Sequence, residues 1–465
     1  MQVTNSALIS WIEIEDLFGT SSYHLNFFGD NEPGSRGRRL TLLYGNNGSG
    51  KTTILKLLWD TLSADTTKGH RERIAKTPFR TLVIHLSTGD TIRVAKTEGL
   101  TGPFSIAVDG ESVSFHQPYL VTPVGVTAVP ESIANNHAAL SEREIRLRLM
   151  RARRKRPSEE YEEGGDKFAE YLKGLGAVPY MLADDRQIYG DAIESDAREE
   201  EEWVILDEED DPSAESARGV AAELTQAIER VDSLVKDQVI KGGQQGSRSS
   251  NSVYLGILGR VARTESSRKE VTKDELIGKI EEVAERTQVY SRYGLLPRII
   301  KDQFVNAVRA VPDSELGVAE AVLDPFLSSQ TARLDALNGV FELVQTFTNE
   351  MNRFFSNSGK KVTYQTFRGI QVRSADNARL APAQLSSGER QILLLLLNTI
   401  LARENTKLFL IDEPEISLNV KWQRQLMDAL LACTEGSAVQ FVVATHSIEV
   451  ITGHRASLAR MVSKK

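Results

Sequence analysis

The chain has 465 residues, of which 40% are hydrophobic and 26% charged, and its formal net charge is -8. This is soluble globular composition with room for two or three domains. The acidic balance excludes a nucleic-acid binder that works through its whole surface, though not a local basic face. A single cysteine, Cys433, excludes an internal disulfide and points to a reducing cytosol, where it reads as small apolar filler in a helix.

At the N-terminus no charged segment leads into an apolar one, so a secretory leader is not expected and a cytoplasmic protein is. Residues 10–14 alternate like a half-buried strand, and 40–44 read as a short apolar strand. After a glycine-rich octet, residues 53–62 predict a helix with Ile54, Leu57 and Leu58 on one side. Residues 81–86, 91–95 and 104–108 predict an antiparallel meander with turns at Gly89-Asp90 and Asp109-Gly110.

From about 130 to 360 the pattern becomes helical. Leu224, Ile228, Val231 and Val235 mark one helix, and Thr272 with Glu275 forms a capping-box pattern before Leu276, Ile280 and Val283. Leu337, Val340, Val344, Phe347, Met351 and Phe354 hold the helical period over about five turns. These stripes read as packed bundle or coiled-coil faces rather than ligand boxes. Between the helices lie an acidic run at 199–211 and a segment at 241–247 that reads as a flexible linker. Strands return at 362–367 and 370–373. The stretch 392–401 reads as a buried helix, too short to span a bilayer and interrupted by Asn398 and Thr399, so no membrane partner is expected.

The chemistry sits in separated motifs. Gly45-Asn46-Asn47-Gly48-Ser49-Gly50-Lys51-Thr52 fits G-x-x-x-x-G-K-[ST] between a strand and a helix. Its glycines let backbone N–H groups turn inward around phosphates, Lys51 meets the terminal phosphates, and Thr52 places a hydroxyl on Mg²⁺. The helix N-terminus adds a favourable dipole, and Thr53 belongs to the same phosphate-binding set. Far downstream, the apolar strand Leu408-Phe409-Leu410-Ile411 delivers Asp412-Glu413-Pro414 at its tip. Asp412 is expected to hold Mg²⁺, directly or through water, and Glu413 to polarise the attacking water. Leu385-Ser386-Ser387-Gly388-Glu389-Arg390-Gln391 opens an apolar helix. Ser386 and the Gly388 N–H stand where a helix N-terminus binds anions, although alone the pattern reads as a helix cap.

In this order the motifs resemble the ABC-class ATPases of the SMC, RecF and OLD type. The resemblance implies an α/β fold: an ABC-type P-loop NTPase head split by a helical, coiled-coil-like insert. Residues 1–190 would form the N-terminal lobe, 191–360 the insert, and 361–465 the C-terminal lobe. It further implies that Ser386, Ser387, Gly388 and Glu389 form the signature that completes the nucleotide site of another subunit. Phe441-Val442-Val443-Ala444-Thr445-His446-Ser447 resembles the switch strand, with His446 sensing the γ-phosphate. Ser417-Leu418-Asn419 resembles the D-loop, with Asn419 where a histidine is often found. For the Q-loop residue that touches nucleotide and metal, Gln187 after Asp184-Asp185-Arg186 is the candidate and Gln117 its rival, and a plain surface glutamine stays open. ATP and Mg²⁺ are the implied cofactors. The implied assembly is a head-to-head homodimer as the minimum unit, with a larger even assembly such as a hexamer open.

Three functions fit these motifs. The long spacing from Lys51 to Leu385 fits an SMC-like insert better than the short helical segment of a transporter motor. A DNA-repair ATPase predicts DNA-stimulated hydrolysis. Too few residues follow His446 for the TOPRIM nuclease of OLD proteins, and the compact insert and the 184–186 loop look most like ATPases of the PARIS and Septu antiphage systems. That resemblance implies a sensor or regulator ATPase governing a separately encoded effector, a nuclease, in response to a phage protein or nucleic acid. The basic run Arg146, Arg148, Arg151, Arg153, Arg154, Lys155 and Arg156 is either a solvated or partner-facing helix surface or a contact to nucleic-acid phosphates.

Overall fold

Strands with no polar position need cover on both faces, and strands that alternate need it on one. Both kinds occur in the computed structural model, which describes residues 9–27, 39–122, 125–129, 134, 166–176, 179–183, 188–190, 221–243, 271–405 and 407–462. The chain divides into two compact units, Met1–Glu209 with Ala402–Lys465, and Asp210–Leu401.

The first unit holds two sheets. Strands β1 (Ile9–Leu17), β2 (Ser21–Asn26), β4 (Thr81–Leu86), β5 (Thr91–Lys96), β6 (Phe104–Asp109), β7 (Ser114–Thr122) and β8 (Gly125–Ala128) form an antiparallel sheet in the order β2-β1-β4-β5-β6-β7-β8. The meander read from alternation is the middle of this larger sheet. The second sheet runs β10-β9-β14-β15-β3-β16, from β3 (Leu40–Tyr44), β9 (Pro179–Leu182), β10 (Ile188–Gly190), β14 (Leu408–Asp412), β15 (Gln440–Thr445) and β16 (Leu458–Arg460). All its pairings but β10 with β9 are parallel. Every residue of β14 and β15 is buried, as parallel strands covered on both faces require.

Helix α1 (Lys51–Leu62) shares one core with both sheets: Leu57 and Leu58 cluster with Ile12 and Ile84 of the first and Leu410 and Val442 of the second. A polar link also joins the sheets. The buried Gln440 amide donates to the Ile9 carbonyl and accepts from the Ile9 N–H, both at 2.9 Å, standing in for a missing strand neighbour. Residues 431 positions apart in sequence thus link the two sheets.

The second unit is mainly helical, with helices at 221–243 (α4), Lys273–Arg292 (α5), Lys301–Ala310 (α6) and Leu316–Phe355 (α7). α2 (His70–Lys76) and α3 (Lys167–Leu175) belong to the first unit. The capping box at Thr272 forms in full, with the hydroxyl accepting from Glu275 N and the Glu275 carboxylate from Thr272 N. α7 runs 40 residues, roughly 60 Å, well beyond the five turns marked by its apolar stripe. Its N-terminal half buries Ala321, Leu327 and Leu334 and stacks Phe326 on Phe304 of α6, while Lys279 of α5 pairs with Glu320 and Asp324 at the surface.

The linker expectation for 241–247 is corrected in its first three residues, which are helical. Gly242 is buried, and a Cβ there would lie 2.7 Å from Leu337 Cδ2 and 3.3 Å from the Ala336 carbonyl, so the glycine serves close helix packing rather than flexibility. Residues 244–247, the acidic run at 199–211 and the basic run at 146–156 lie outside the described residues.

A small antiparallel sheet, β11 (Lys361–Gln365), β12 (Gly369–Arg373) and β13 (Arg379–Leu380), follows α7 and leads into α8 (Ser387–Asn405). Residues 391–400 are buried throughout. Asn398 and Thr399 are tolerated there because each donates to a carbonyl one turn back, at Leu394 and Leu395. Among the described residues no helix is long and apolar enough to cross a membrane.

Candidate functional site

The glycine octet wraps between the end of β3 and the start of α1. Gly50 caps the helix at φ 87°, and a Cβ there would lie 2.7 Å from Leu17 Cδ2, so both dihedral and space demand glycine. The Tyr23 hydroxyl donates to the Ser49 carbonyl at 2.9 Å, so the antiparallel sheet braces the loop. Lys51 is 5% exposed and its ammonium donates to the carbonyls of Gly45 (2.9 Å) and Asn46 (3.2 Å). Thr52 and Thr53 stand half-buried in the first turn of α1. That turn carries no side-chain cap and no acidic residue, so its N–H groups and dipole act on the loop uncompensated.

Parallel register brings the downstream acids to the same edge. Asp412 pairs with Ala444, and Thr445 with Tyr44, so the carboxyl ends of β14, β15 and β3 stand level. With β15 between them, Asp412 and the glycine octet are two strand intervals apart, about 10 Å. Asp412 is buried. Glu413 adopts φ 44°, a left-handed conformation that costs a non-glycine residue about 1–3 kcal/mol, and its N–H donates to the Ala444 carbonyl at 2.9 Å. The kink turns its carboxylate towards the tip of β15, where Oε1 lies 3.3 Å from His446 Nδ1.

Glu415 is a site residue that sequence reasoning missed. It is 4% exposed, and Oε1 accepts from the Thr445 hydroxyl (2.6 Å), the His446 N–H (3.0 Å) and the Ser447 N–H (3.2 Å). The same oxygen lies 3.5 Å from His446 Nδ1. One carboxylate therefore shapes the turn that carries His446. The only sequence signal was a further acid one residue past Asp412-Glu413-Pro414, and nothing local says that it is buried.

The other expected residues divide. Asn419 caps α9 (Val420–Cys433), accepting from Trp422 N at 3.0 Å. Ser386 and Glu389 belong to the second unit and form a reciprocal cap at the start of α8: the Ser386 hydroxyl accepts from Glu389 N (3.3 Å), and the Glu389 carboxylate from Ser386 N (2.8 Å). Lys360 donates to the same carboxylate at 2.6 Å. Burial alone would raise the Glu389 pKa, but the hydrogen bonds from Lys360 and Ser386 outweigh it and hold the carboxyl below its ordinary 4.5. Ser387 is exposed and Gly388 buried. Gln187 and the 184–186 loop lie outside the described residues. Gln117 is spent inside the first unit, its buried amide donating to the Val129 (2.9 Å) and Pro118 (3.3 Å) carbonyls.

Thr52 and Asp412 are hard oxygen donors, the chemistry Mg²⁺ prefers. Among the described residues no group of three or more His, Cys, Asp or Glu could hold a metal. A donor set of one carboxylate and one hydroxyl beside a phosphate loop suits an ion that takes its remaining ligands from phosphate and water.

The glycine loop between strand and helix, the level strand ends and the sheet order together define a P-loop NTPase fold of the ABC/AAA type, split by a helical insert. Residues 279–452, a little over a third of the chain, match the family model described as "AAA domain, putative AbiEii toxin, Type IV TA system". The match supports a nucleotide-binding, ATPase-like function at the level of that family. No curated protein matches at a significant level. Similar solved structures include an Smc head domain with an extended coiled coil bound to the C-terminal domain of ScpA, from Pyrococcus furiosus, at 11% identity and TM-score 0.39 over 99% of this chain and 96% of that one. Another is an Smc head with a coiled coil and joint from Pyrococcus yayanosii, at 14% identity and TM-score 0.31 over 99% and 97%. At these scores the likeness carries no argument, and the fold rests on its own topology.

Proposed function

We propose that the chain binds and hydrolyses ATP, with Lys51 and the amides of residues 45–50 holding the phosphates. The observation that carries this reading is the level edge of β3, β15 and β14, which sets the glycine octet and Asp412-Glu413 about 10 Å apart on one sheet. Thr52 and Asp412 would hold Mg²⁺, which when bound neutralises phosphate charge and polarises the phosphoryl oxygens. Glu413 orients and deprotonates the attacking water, and His446, beside it, responds to the γ-phosphate. Thr53 joins the phosphate set, and Gln187 is assigned to nucleotide and metal on resemblance alone.

The signature residues Ser386, Ser387, Gly388 and Glu389 are assigned to the nucleotide site of a second copy, so that turnover needs two heads. At the level of biology the reading is a sensor or regulator ATPase of an antiviral system that governs a separately encoded nuclease. The toxin–antitoxin wording of the matched family supports that setting, as does the resemblance to antiphage ATPases. ATP turnover by the purified chain, with nucleotide binding lost in Lys51→Ala and an ATP-bound, more associated state trapped in Glu413→Gln, tests the chemistry. A Glu413→Gln chain that neither retains ATP nor associates more overturns the role given to Glu413.

A further inference from the structure

The second unit contains a cleft that gathers four cations and no carboxylate. It has a volume of about 470 Å³ and lies between the C-terminal end of α5, the polar side of α7 and the β11–β12 hairpin. Its lining includes Arg292, Lys361, Arg368 and Arg373 and no carboxylate. Register makes the cluster costly. Lys361 is paired directly with Arg373 across the hairpin, and like charges in that position repel. Val362 and Tyr364 alternate with Lys361 and are buried, so Lys361 and Arg373 share one face of the hairpin, with Arg368 in its turn and Arg292 at the end of α5.

Several cations outside the cleft are matched: Lys279 with Glu320 and Asp324, Arg286 with Asp335, Lys301 with Glu281. Lys360 pairs with Glu389, yet the adjacent Lys361 makes no ion pair among the described residues, nor do the other three cations of the cleft. Asp232 of α4, the acid beside the hairpin, does not line the cleft and accepts from Ile370 N at 3.0 Å. On a chain of net charge -8, four convergent unmatched cations are not a general property of the surface.

The cleft is also held in shape. The Arg373 guanidinium donates to the Asn377 carbonyl (2.9 Å) and to Gln371 Oε1 (2.7 Å), which fixes its plane. Asn352 donates to the Val362 carbonyl and accepts the Val362 N–H, tying the α7 wall to β11. Asn349, Gln365 and the Tyr293 side chain add amide and aromatic groups able to contact a base. The size suits a small ligand rather than a duplex.

We infer that this cleft binds the phosphates of a nucleotide, carried either on a free nucleotide or on the 5′ end of a nucleic-acid strand, at a site separate from the glycine octet. The test uses the full chain carrying Lys51→Ala, which on the reading above silences the octet. It measures binding of fluorescent ATP, inorganic tripolyphosphate and a short 5′-phosphorylated oligonucleotide. At least one probe is expected to bind, with affinity falling as salt rises. Lys361→Glu with Arg368→Glu, both exposed positions, is expected to weaken it by at least about tenfold with the unfolding temperature unchanged. Preference for tripolyphosphate and ATP assigns the free ligand, and preference for the oligonucleotide assigns the strand. Absence of binding to all three, equal binding by a polyglutamate peptide, or affinity unchanged in both this variant and the milder Lys361→Ala with Arg368→Ala overturns the inference. ATP binding by the chain without Lys51→Ala is measured separately, so failure of the cleft and failure of the ATPase reading give different results.

Discussion

Glu415 Oε1 accepts a 2.6 Å hydrogen bond from the Thr445 hydroxyl, and both residues are buried. Because the same oxygen also takes the His446 and Ser447 N–H groups, it ties the segment after β14 to the tip of β15. Glu413 and His446 are carried on the two sides of that joint, 3.3 Å apart.

Removing the acceptor leaves three donors without it. Glu415→Ala is expected to destabilise the fold by about 3 kcal/mol, and Glu415→Gln, which keeps one carbonyl oxygen, by clearly less. Urea unfolding of the two variants beside the parent chain measures both. Equal stability of Glu415→Ala and the parent would show the joint to be idle.

His446 stands at the site edge, half exposed, with Nδ1 3.3 Å from Glu413 Oε1 and 3.5 Å from Glu415 Oε1. His446→Ala is expected to lower ATP turnover by roughly 100-fold while leaving the unfolding midpoint within about 0.5 kcal/mol of the parent. Steady-state hydrolysis and denaturation curves on the same preparation decide it. Turnover at the parental rate removes His446 from the mechanism.

The cap of α8 is a stability element whatever else the signature does. Ser386→Ala is expected to cost about 1 kcal/mol. Glu389 has a carboxyl held below its ordinary 4.5, so its contribution is complete above that value and is lost as pH falls through the lower folded value. The stability difference between the parent and Lys360→Met is therefore expected to be constant near neutrality and to shrink below about pH 4.5. A difference that persists unchanged at pH 3 contradicts the assignment.

Lys96 behaves in the opposite pH range. Burial lowers its pKa from 10.5 to about 8, although its ammonium donates to the Ala75 carbonyl at 3.0 Å and lies 4.7 Å from the Phe79 ring centroid. With the folded value below the unfolded one, the unfolded chain binds more protons between about pH 8 and 10.5, so this group makes stability rise across that window. Lys96→Met is expected to flatten that part of the profile relative to the parent. Parallel profiles from pH 8 to 10 would mean that Lys96 stays charged when folded.

Much of this was legible because local rules were strong. A glycine octet between an apolar strand and a helix has one common use, and the strand ending at Asp412 had no polar position that could face water. The capping box at Thr272 needed only residues three apart. Gly242 was misread because composition alone cannot distinguish a glycine that supplies flexibility from one that lets Leu337 approach. Glu415 and the cationic cleft were invisible for the same kind of reason. One is an acid whose burial depends on a turn 30 residues away, and the other is a pairing of Lys361 with Arg373 set by hairpin register.

The order of residues alone settled which segments become strand, loop and helix around the phosphate motif, since periodicity, glycine positions and caps act over a few residues. It also settled that carboxylates follow a buried strand. Only the tertiary structure decided that β15 lies between β3 and β14 and sets their tips level, because parallel pairing between distant segments is chosen by shared burial and crossover geometry, which no short window of sequence records.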